Sequence, residues 1–332
     1  MLKKNLVFLI ALTIFLSGCG GINQDKRQNE NNIPKTTSES ESTASSYSEG
    51  ENKSDTQQKP NDKVASDSEK SNSKSESVPL EGLEPSQEAF TPLLISDTSS
   101  LSTKAIQWSW LYSPRDSAGL LSKYKGYGFG DTTKKIIYLT FDEGYENGYT
   151  SSILDTLKSN NVHAAFFVTK PYVTGSYNGV PDSELLKRMS KEGHIIGNHS
   201  VQHKSMPTFT NEAAFDAELT GVEDSVNSIP GCKMSKYFRP PEGTFSELSL
   251  YYTQRLGYKS IFFALAYQDY NVDNQPAPEA AKEMLLKNTR SGMICLLHAV
   301  SKTNASILDS MIKEWKNEGY EFRTLDELPN YR

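Results

Sequence analysis

From residue 135 to the C-terminus, short apolar runs alternate with longer segments whose apolar positions recur at helical spacing. The runs predict strands at Ile136–Phe141, Ala164–Thr169, His194–Asn198, Lys236–Arg239, Lys259–Leu265, Met293–Leu297 and Glu321–Thr324. A short apolar run bounded by turn residues is what a buried strand leaves in a sequence. Helices are predicted between them. Thr150–Ser159 sets Ile153, Leu154 and Leu157 on one face. Asp182–Lys191 groups Leu185, Leu186 and Met189, with Asp182 or Ser183 as its cap. Thr210–Ser228 is long and stops at Pro230-Gly231; Ser246–Leu256, Pro278–Lys287 and Asn304–Asn317 complete the set. Gly193, Gly257 and Gly319 each stand between a helix and the next strand, where a residue of left-handed conformation closes a helix.

Seven strands alternating with helices predict an α/β protein. An open doubly wound sheet and a closed β/α barrel compete. No Gly-x-Gly-x-x-Gly turn follows the first strand, which disfavours a dinucleotide-binding sheet. A barrel gathers polar residues at the C-terminal ends of its strands. That is the pattern here. Asp142 and Glu143 end the first strand, His199 the third and Arg239 the fourth, Asp269 follows the fifth, and His298 ends the sixth. His163 and His194 sit instead at strand starts, on the opposite rim, where a structural role is expected.

The residues at the first rim can do chemistry together. His199-Ser200-Val201-Gln202-His203 places two imidazoles four apart, so that one turn points both to one side, as two metal ligands require. Facing a carboxylate from Asp142-Glu143, the pair becomes a two-histidine, one-carboxylate site with positions open for water and substrate. Side chains of adjacent strand residues point oppositely, but at a frayed strand end one carboxylate can hold metal while the other acts as base. His298, leaving an apolar strand, is suited to protonating a leaving amine. Arg239 does not give up its proton and so would orient a carboxylate. Glu242 supplies the first backbone N–H after Pro240-Pro241. These parts predict metal-assisted hydrolysis of an amide or ester.

Upstream the pattern fades. Residues 21–80 contain only eight hydrophobic residues, too few to offset the entropy of ordering the segment. The net charge of −6 lies there as well. Residues 1–20 carry +2, residues 21–90 carry 8 basic against 14 acidic side chains, and residues 91–332 carry 25 against 27, or −2. Without a basic surplus, nucleic acid is not an expected partner. Lys3 and Lys4 precede an apolar run from Leu6 to Leu16, short for a membrane span, ending Leu16-Ser17-Gly18-Cys19. That ending resembles a bacterial lipobox and marks Cys19 for lipidation. The organisation expected is a leader at 1–19, a disordered Ser/Asn/Glu/Lys-rich linker at 20–100 and a catalytic domain at 101–332, exported and tethered to the outer face of the cell membrane. A flexible coil of about 75 residues reaches roughly 45–50 Å. Cys232 and Cys295 could pair in an exported domain, although Cys295 lies in an apolar run where a buried free thiol is common. Trp108, Trp110 and Tyr112 are expected to pack in the core or to contact substrate.

Five segments occur in order: Thr140-Phe141-Asp142-Glu143-Gly144, His199-Ser200-Val201-Gln202-His203, Arg239-Pro240-Pro241-Glu242-Gly243, Asp269-Tyr270 and Leu296-Leu297-His298-Ala299. Together they resemble the motifs of NodB-type polysaccharide deacetylases, carbohydrate esterase family 4. The resemblance implies a distorted (β/α)7 barrel and a divalent metal, zinc foremost, held by His199, His203 and Glu143. It implies Asp142 as base, His298 as acid, Arg239 bracing Asp142, and Asp269 tuning His298. Gly144-Tyr145-Glu146-Asn147-Gly148-Tyr149-Thr150 and the segment 266–275 are similar to delta-lactam-biosynthetic de-N-acetylases of spore-forming bacteria. That similarity implies substrate contacts from Tyr145, Glu146 and Asn147; Glu242, in the third motif, is either a substrate contact or a loop carboxylate. The similarity also implies peptidoglycan glycan strands as partner, with no protein partner evident, and removal of acetate from N-acetylmuramic acid on the way to the muramic lactam of spore cortex, in the space around the forespore. The alternatives are a deacetylase of N-acetylglucosamine and an inactive glycan-binding module. Glu143 departs from the family's usual second Asp, Glu242 from its usual aromatic residue and Tyr270 from its usual Trp.

Overall fold

The computed structural model describes residues 90–109 and 117–330. The leader with Cys19, the linker up to residue 89, Trp110 and Tyr112 lie outside the described residues. Among those described, the strands are β1 (Ile106–Gln107), β2 (Gly126–Tyr127), β3 (Ile136–Glu143), β4 (Ala165–Val168), β5 (Ser176–Tyr177), β6 (Val180–Pro181), β7 (Ile195–Asn198), β8 (Tyr237–Phe238), β9 (Thr244–Phe245), β10 (Lys259–Ile261), β11 (Met293–His298) and β12 (Glu321–Phe322). The helices are α1 (Ser117–Lys123), α2 (Thr150–Ser159), α3 (Lys170–Thr174), α4 (Ser183–Lys191), α5 (Glu212–Asn227), α6 (Glu247–Arg255), α7 (Pro278–Lys287) and α8 (Lys302–Asn317).

One parallel sheet runs β11-β3-β4-β7-β8-β10-β2, and β12 pairs with the start of β3. The far edge curls back to β11 through two single bridges, Phe129 with Met293 and Leu265 with Cys295. The result is the distorted β/α barrel expected, closed by bridges rather than by a full ladder. Two small antiparallel ribbons, β1-β9 and β5-β6, stand apart from it.

All eight residues of β3 are buried, because both faces of a parallel sheet are covered. Their side chains alternate between two cores. Ile136 and Tyr138 join Phe167, Ile195, Tyr237 and Ile261 inside the barrel. Ile137, Leu139 and Phe141 join the larger core beneath the helices, where Phe141 stacks on Phe166 with ring centroids 5.2 Å apart. This alternation decides which way each functional side chain of β3 faces.

Several expected boundaries shift for local reasons. The strand predicted at Lys259–Leu265 ends at Ile261, the Phe262 N–H making the last ladder bond to the Tyr127 carbonyl; beyond it Trp108 stacks on the Phe262 ring at 4.5 Å and Leu265 makes only a single bridge, to Cys295. Trp108 is therefore a core residue. The final helix begins at Lys302, not Asn304, because the Ser301 hydroxyl accepts from the Asn304 N–H and caps it. Asp182 occupies the cap position of α4, but its side chain makes no capping bond. Gly193, Gly257 and Gly319 have φ of 79°, 80° and 85°, so each closes its helix as expected. Part of the expected linker belongs to the fold: the Leu93 backbone exchanges two hydrogen bonds with the Gln254 amide, and the Ile95 backbone two with the Tyr251 hydroxyl, both on α6. Cys232 and Cys295 are free thiols. His194 is buried on the opposite rim, accepts from the Ala164 N–H through Nδ1, and is pushed by burial to a pKa of about 4. No helix among the described residues is long and apolar enough to cross a membrane.

Gly197 faces the barrel interior, where a Cβ would lie 2.7 Å from Phe167 Cδ1 and 3.3 Å from the Tyr237 carbonyl oxygen. Gly197→Ala should therefore cost about 1–3 kcal/mol of overpacking and lower the thermal midpoint by roughly 2–10 °C. An unchanged midpoint in a thermal melt would contradict this account of the interior.

Candidate active site

The polar residues meet where β3, β7, β8 and β11 end. Asp142 and His298 are direct register partners across the β3–β11 pair. By strand alternation Thr140 and Asp142 share the inner face of β3 with Tyr138. Arg239, the residue after β8, lies there on the Phe167 ring, 4.2 Å from its centroid. Its guanidinium is fully buried and each nitrogen has an acceptor. Nη1 donates to Asp142 Oδ1 at 2.6 Å, Nη2 to Thr140 Oγ1 at 2.8 Å and Nε to the Ile261 carbonyl at 3.2 Å. Thr140 in turn donates to the Cys295 carbonyl at 2.7 Å.

Burial opposes charge on Asp142, but the Arg239 guanidinium foremost, with His298, outweighs it and holds the carboxyl below its ordinary pKa. The other oxygen, Oδ2, lies 3.4 Å from His199 Nε2. His199 Nδ1 is 2.8 Å from the Arg239 carbonyl, so Nδ1 carries the hydrogen and Nε2 the lone pair. Burial lowers the His199 pKa to about 4, which keeps the ring neutral. Two lone-pair atoms thus face one another, an arrangement that a cation or a proton stabilises. The His203 ring lies edge-on to His199, with centroids 4.8 Å apart. The loop between them is held in left-handed conformations at Ser200 (φ 71°) and His203 (φ 51°), and Glu242 across the rim has φ 59°. Non-glycine residues pay for such conformations, and they concentrate at functional sites.

His298 Nδ1 is 2.6 Å from Asp269 Oδ1, and its backbone N–H donates to Asp269 Oδ2 at 2.8 Å. Burial works against charge on this ring, yet Asp269 prevails and raises its pKa above the ordinary value of 6.5. Asn304 Nδ2 donates to Asp269 Oδ2 at 2.5 Å and to the His298 carbonyl at 3.1 Å, and the Tyr267 hydroxyl donates to Asn304 Oδ1. Thr140, Tyr267 and Asn304 escape a reading of the sequence. Thr140 sits in a motif whose acid draws the attention, and the other two reach the site only through the fold.

Glu143 is a correction. β3 stays regular through Glu143, so its side chain points opposite to Asp142, beneath α2 and α3. It is fully buried, with Thr150 Oγ1 3.3 Å from Oε1 and no hydrogen-bond partner at Oε2. Burial, then Glu146, Asp142 and Asp182, push its pKa well above the ordinary range. Among the described residues no three His, Cys, Asp or Glu side chains are grouped to hold a metal ion. The two histidines fit a divalent cation; Glu143 does not join them.

The expected substrate contacts divide as well. Glu146 is spent on the fold: Oε1 accepts from the Gly148 N–H at 2.6 Å, and Oε2 lies 3.4 Å from the Tyr172 hydroxyl. Asn147 Nδ2 donates to the Val300 carbonyl at 3.0 Å, tying its loop to the loop after β11. Tyr145 and the Glu242 side chain remain exposed at the rim.

Comparison with known proteins agrees with this geometry. Residues 129–261 match the family model for polysaccharide deacetylases. Over 209 residues the chain is 47% identical to an uncharacterised 30.6 kDa protein of Geobacillus stearothermophilus, covering 63% of this chain and 76% of that one. Over the same length it is 44% identical to the peptidoglycan-N-acetylmuramic acid deacetylase PdaA of Bacillus subtilis, covering 63% and 77%. The solved structure of Bacillus subtilis PdaA, a family 4 carbohydrate esterase, superposes with a TM-score of 0.64 at 39% identity, over 69% of this chain and 98% of that one.

Proposed function

The chain belongs to the polysaccharide deacetylase family, carbohydrate esterase family 4, and on that premise we propose that it hydrolyses the N-acetyl group of N-acetylmuramic acid in peptidoglycan. What carries the reading is the pairing of a carboxylate held toward its charged form, Asp142, with an imidazole whose proton Asp269 favours, His298, on adjacent strands of one rim. The 44% identical relative named for that substrate supplies the substrate class.

Arg239 and Thr140 fix Asp142 so that Oδ2 is its free oxygen. In hydrolysis Oδ2 takes a proton from the attacking water. Asp269 holds His298 by Nδ1, which leaves Nε2–H as the donor. That proton goes to the amine nitrogen as the C–N bond breaks, and acetate and a free amine leave. The amine beside the lactyl carboxylate is what later lactam formation in spore cortex requires. The family implies a divalent metal, for which His199 and His203 are the fitting ligands; when bound, it supplies Lewis-acid polarisation. Zinc suits an imidazole pair, as do several other divalent ions.

We also propose that Cys19 carries lipid and tethers the domain outside the cell membrane, from the leader and lipobox-like residues around it. Membrane fractions should then hold the full chain and lose Cys19→Ala; equal retention of the two would end this reading.

The substrate reading is tested on peptide-free cortex-like glycan by mass spectrometry. The expected product is muramic acid lacking acetyl, and Asp142→Asn should slow its release by about 10²–10⁴-fold. Deacetylation of glucosamine alone would overturn the muramic assignment.

The acid must be protonated, so kcat/KM should fall as pH rises through the His298 pKa, above 6.5. Asp269→Asn removes the charge that raises that pKa and should move this alkaline limb to lower pH. A limb that stays in place would remove Asp269 from its role.

Metal content after dialysis separates the two acidic positions. Glu143→Gln should keep the wild-type stoichiometry and His199→Ala should lose it. A matching loss in Glu143→Gln would restore Glu143 as a ligand.

A further inference from the structure

Among the described residues seven large hydrophobic side chains are exposed, and five of them, Tyr145, Tyr177, Val180, Tyr270 and Val272, lie on three loops. Tyr145 is on the β3–α2 loop and Tyr270 and Val272 follow β10, beside Asp269 and His298; the Tyr270 ring lies 5.6 Å from that of His298. Tyr177 and Val180 belong to neither and to none of the five motifs. They are register partners on the β5-β6 hairpin between α3 and α4.

This hairpin is built to hold its tip still. Its two turn residues, Asn178 and Gly179, have φ of 50° and 80°, the pair of positive values that matches the twist of a two-residue hairpin. The Asp182 N–H donates to the Gly175 carbonyl at 3.1 Å and closes the base. The Tyr177 ring rests on Gly148, where a Cβ would lie 3.0 Å from both Cε1 and the hydroxyl oxygen. Gly148 has φ 85° and sits in the loop that Asn147 ties to Val300, two residues after His298. A line of contacts therefore joins Tyr177 to the acid's loop. The ring remains 38% exposed and its partner Val180 57%.

A stiff protrusion with a partly exposed aromatic side chain fits a partner that is apolar on one side and polar at its edge. A pyranose ring is such a partner, with C–H bonds on its face and hydroxyls around it, and an aromatic ring serves it at low entropic cost. We propose that the β5-β6 hairpin is a glycan subsite in which Tyr177 stacks on a sugar neighbouring the residue that is deacetylated, so that the enzyme prefers strands over short fragments. The inference rests on the glycan reading of the site, but its test is a binding measurement and stands apart from turnover.

Dissociation constants are measured for the full chain on peptide-free peptidoglycan strands and on the muramic-containing disaccharide, each in wild type, Tyr177→Ala and Tyr177→Trp. Tyr177→Ala should weaken strand binding about 3- to 10-fold, the scale of one aromatic contact. Tyr177→Trp should restore it, and the disaccharide should bind all three alike. Strand binding that is unchanged in Tyr177→Ala, or an equal loss on strand and disaccharide, overturns the subsite. Tyr177-dependent binding without acetate release would sustain the subsite and defeat the proposed reaction.

Discussion

A guanidinium with almost no exposed surface organises the reactive end of this molecule. Arg239 spends its side chain on Asp142, Thr140 and the Ile261 carbonyl, and its own carbonyl on His199. Burying a cation costs several kcal/mol unless it is paired and hydrogen-bonded, and here each of the three nitrogens has an acceptor, one of them a carboxylate. The same bonds that satisfy the charge also register β3, β8 and β10 against one another and set the base beside the first histidine. Replacing the arginine by an apolar residue would leave the Asp142 carboxylate buried without its partner, which is more damaging than loss of the pair itself. Fold stability and the charge state of the base thus depend on one residue. The floor under it depends on Gly197, whose missing side chain leaves room for the Phe167 ring on which the guanidinium lies.

The second constraint is the two-residue period of β3. Because the strand remains regular to Glu143, adjacent acids face different surroundings. Asp142 looks onto Arg239 and the imidazoles and stays charged. Glu143 looks beneath the helices, among Thr150, Tyr172 and further acids, and is driven toward its neutral form. One carboxylate is thus an acceptor at the rim and the other part of the packing behind it. Their chemistry diverges through environment, not residue type.

The alternation of strands and helices was legible in the chain because long, periodic segments leave a strong pattern. Each of the seven predicted runs contains a strand, six of them in the barrel path and the last, β12, beside β3, and the polar residues at their ends converge except for Glu143. What stayed hidden has local causes. β2 is two residues long, and the β5-β6 hairpin is exposed on both strands, so neither leaves an apolar run. Residues 93–95 are apolar but form a run of only three after a long polar stretch, too short to mark an element, and side chains of α6 supply them with a ladder's hydrogen bonds. The direction of Glu143 turned on whether β3 frays at its end, and pairing with Val168 of β4 keeps it from fraying. Glu146 and Asn147 sit in a motif-like loop, but their partners, a backbone N–H two residues on and a carbonyl 153 residues away, exist only in the folded chain.

The rim itself divides into rigid and strained parts, and the division follows the chemistry. The Asp269–His298 side is bound through Asn304, Tyr267 and the Ser301 cap, so the acid is anchored to the start of α8. A proton donor needs that fixed orientation, since its reach to the amine nitrogen leaves little tolerance. The His199–His203 side instead passes through left-handed residues at Ser200 and His203, with the Ser200 hydroxyl accepting from the His203 N–H at 2.9 Å. Ordinary residues hold such angles only when their surroundings insist. Here the insistence comes from Asn198, whose side chain accepts from the Ser200 N–H and donates to the Leu219 carbonyl on α5. The strain thus spent turns the second imidazole back toward the first. A relaxed loop would carry His203 away, and the neutral His199 would face the Asp142 carboxylate without a second imidazole beside it.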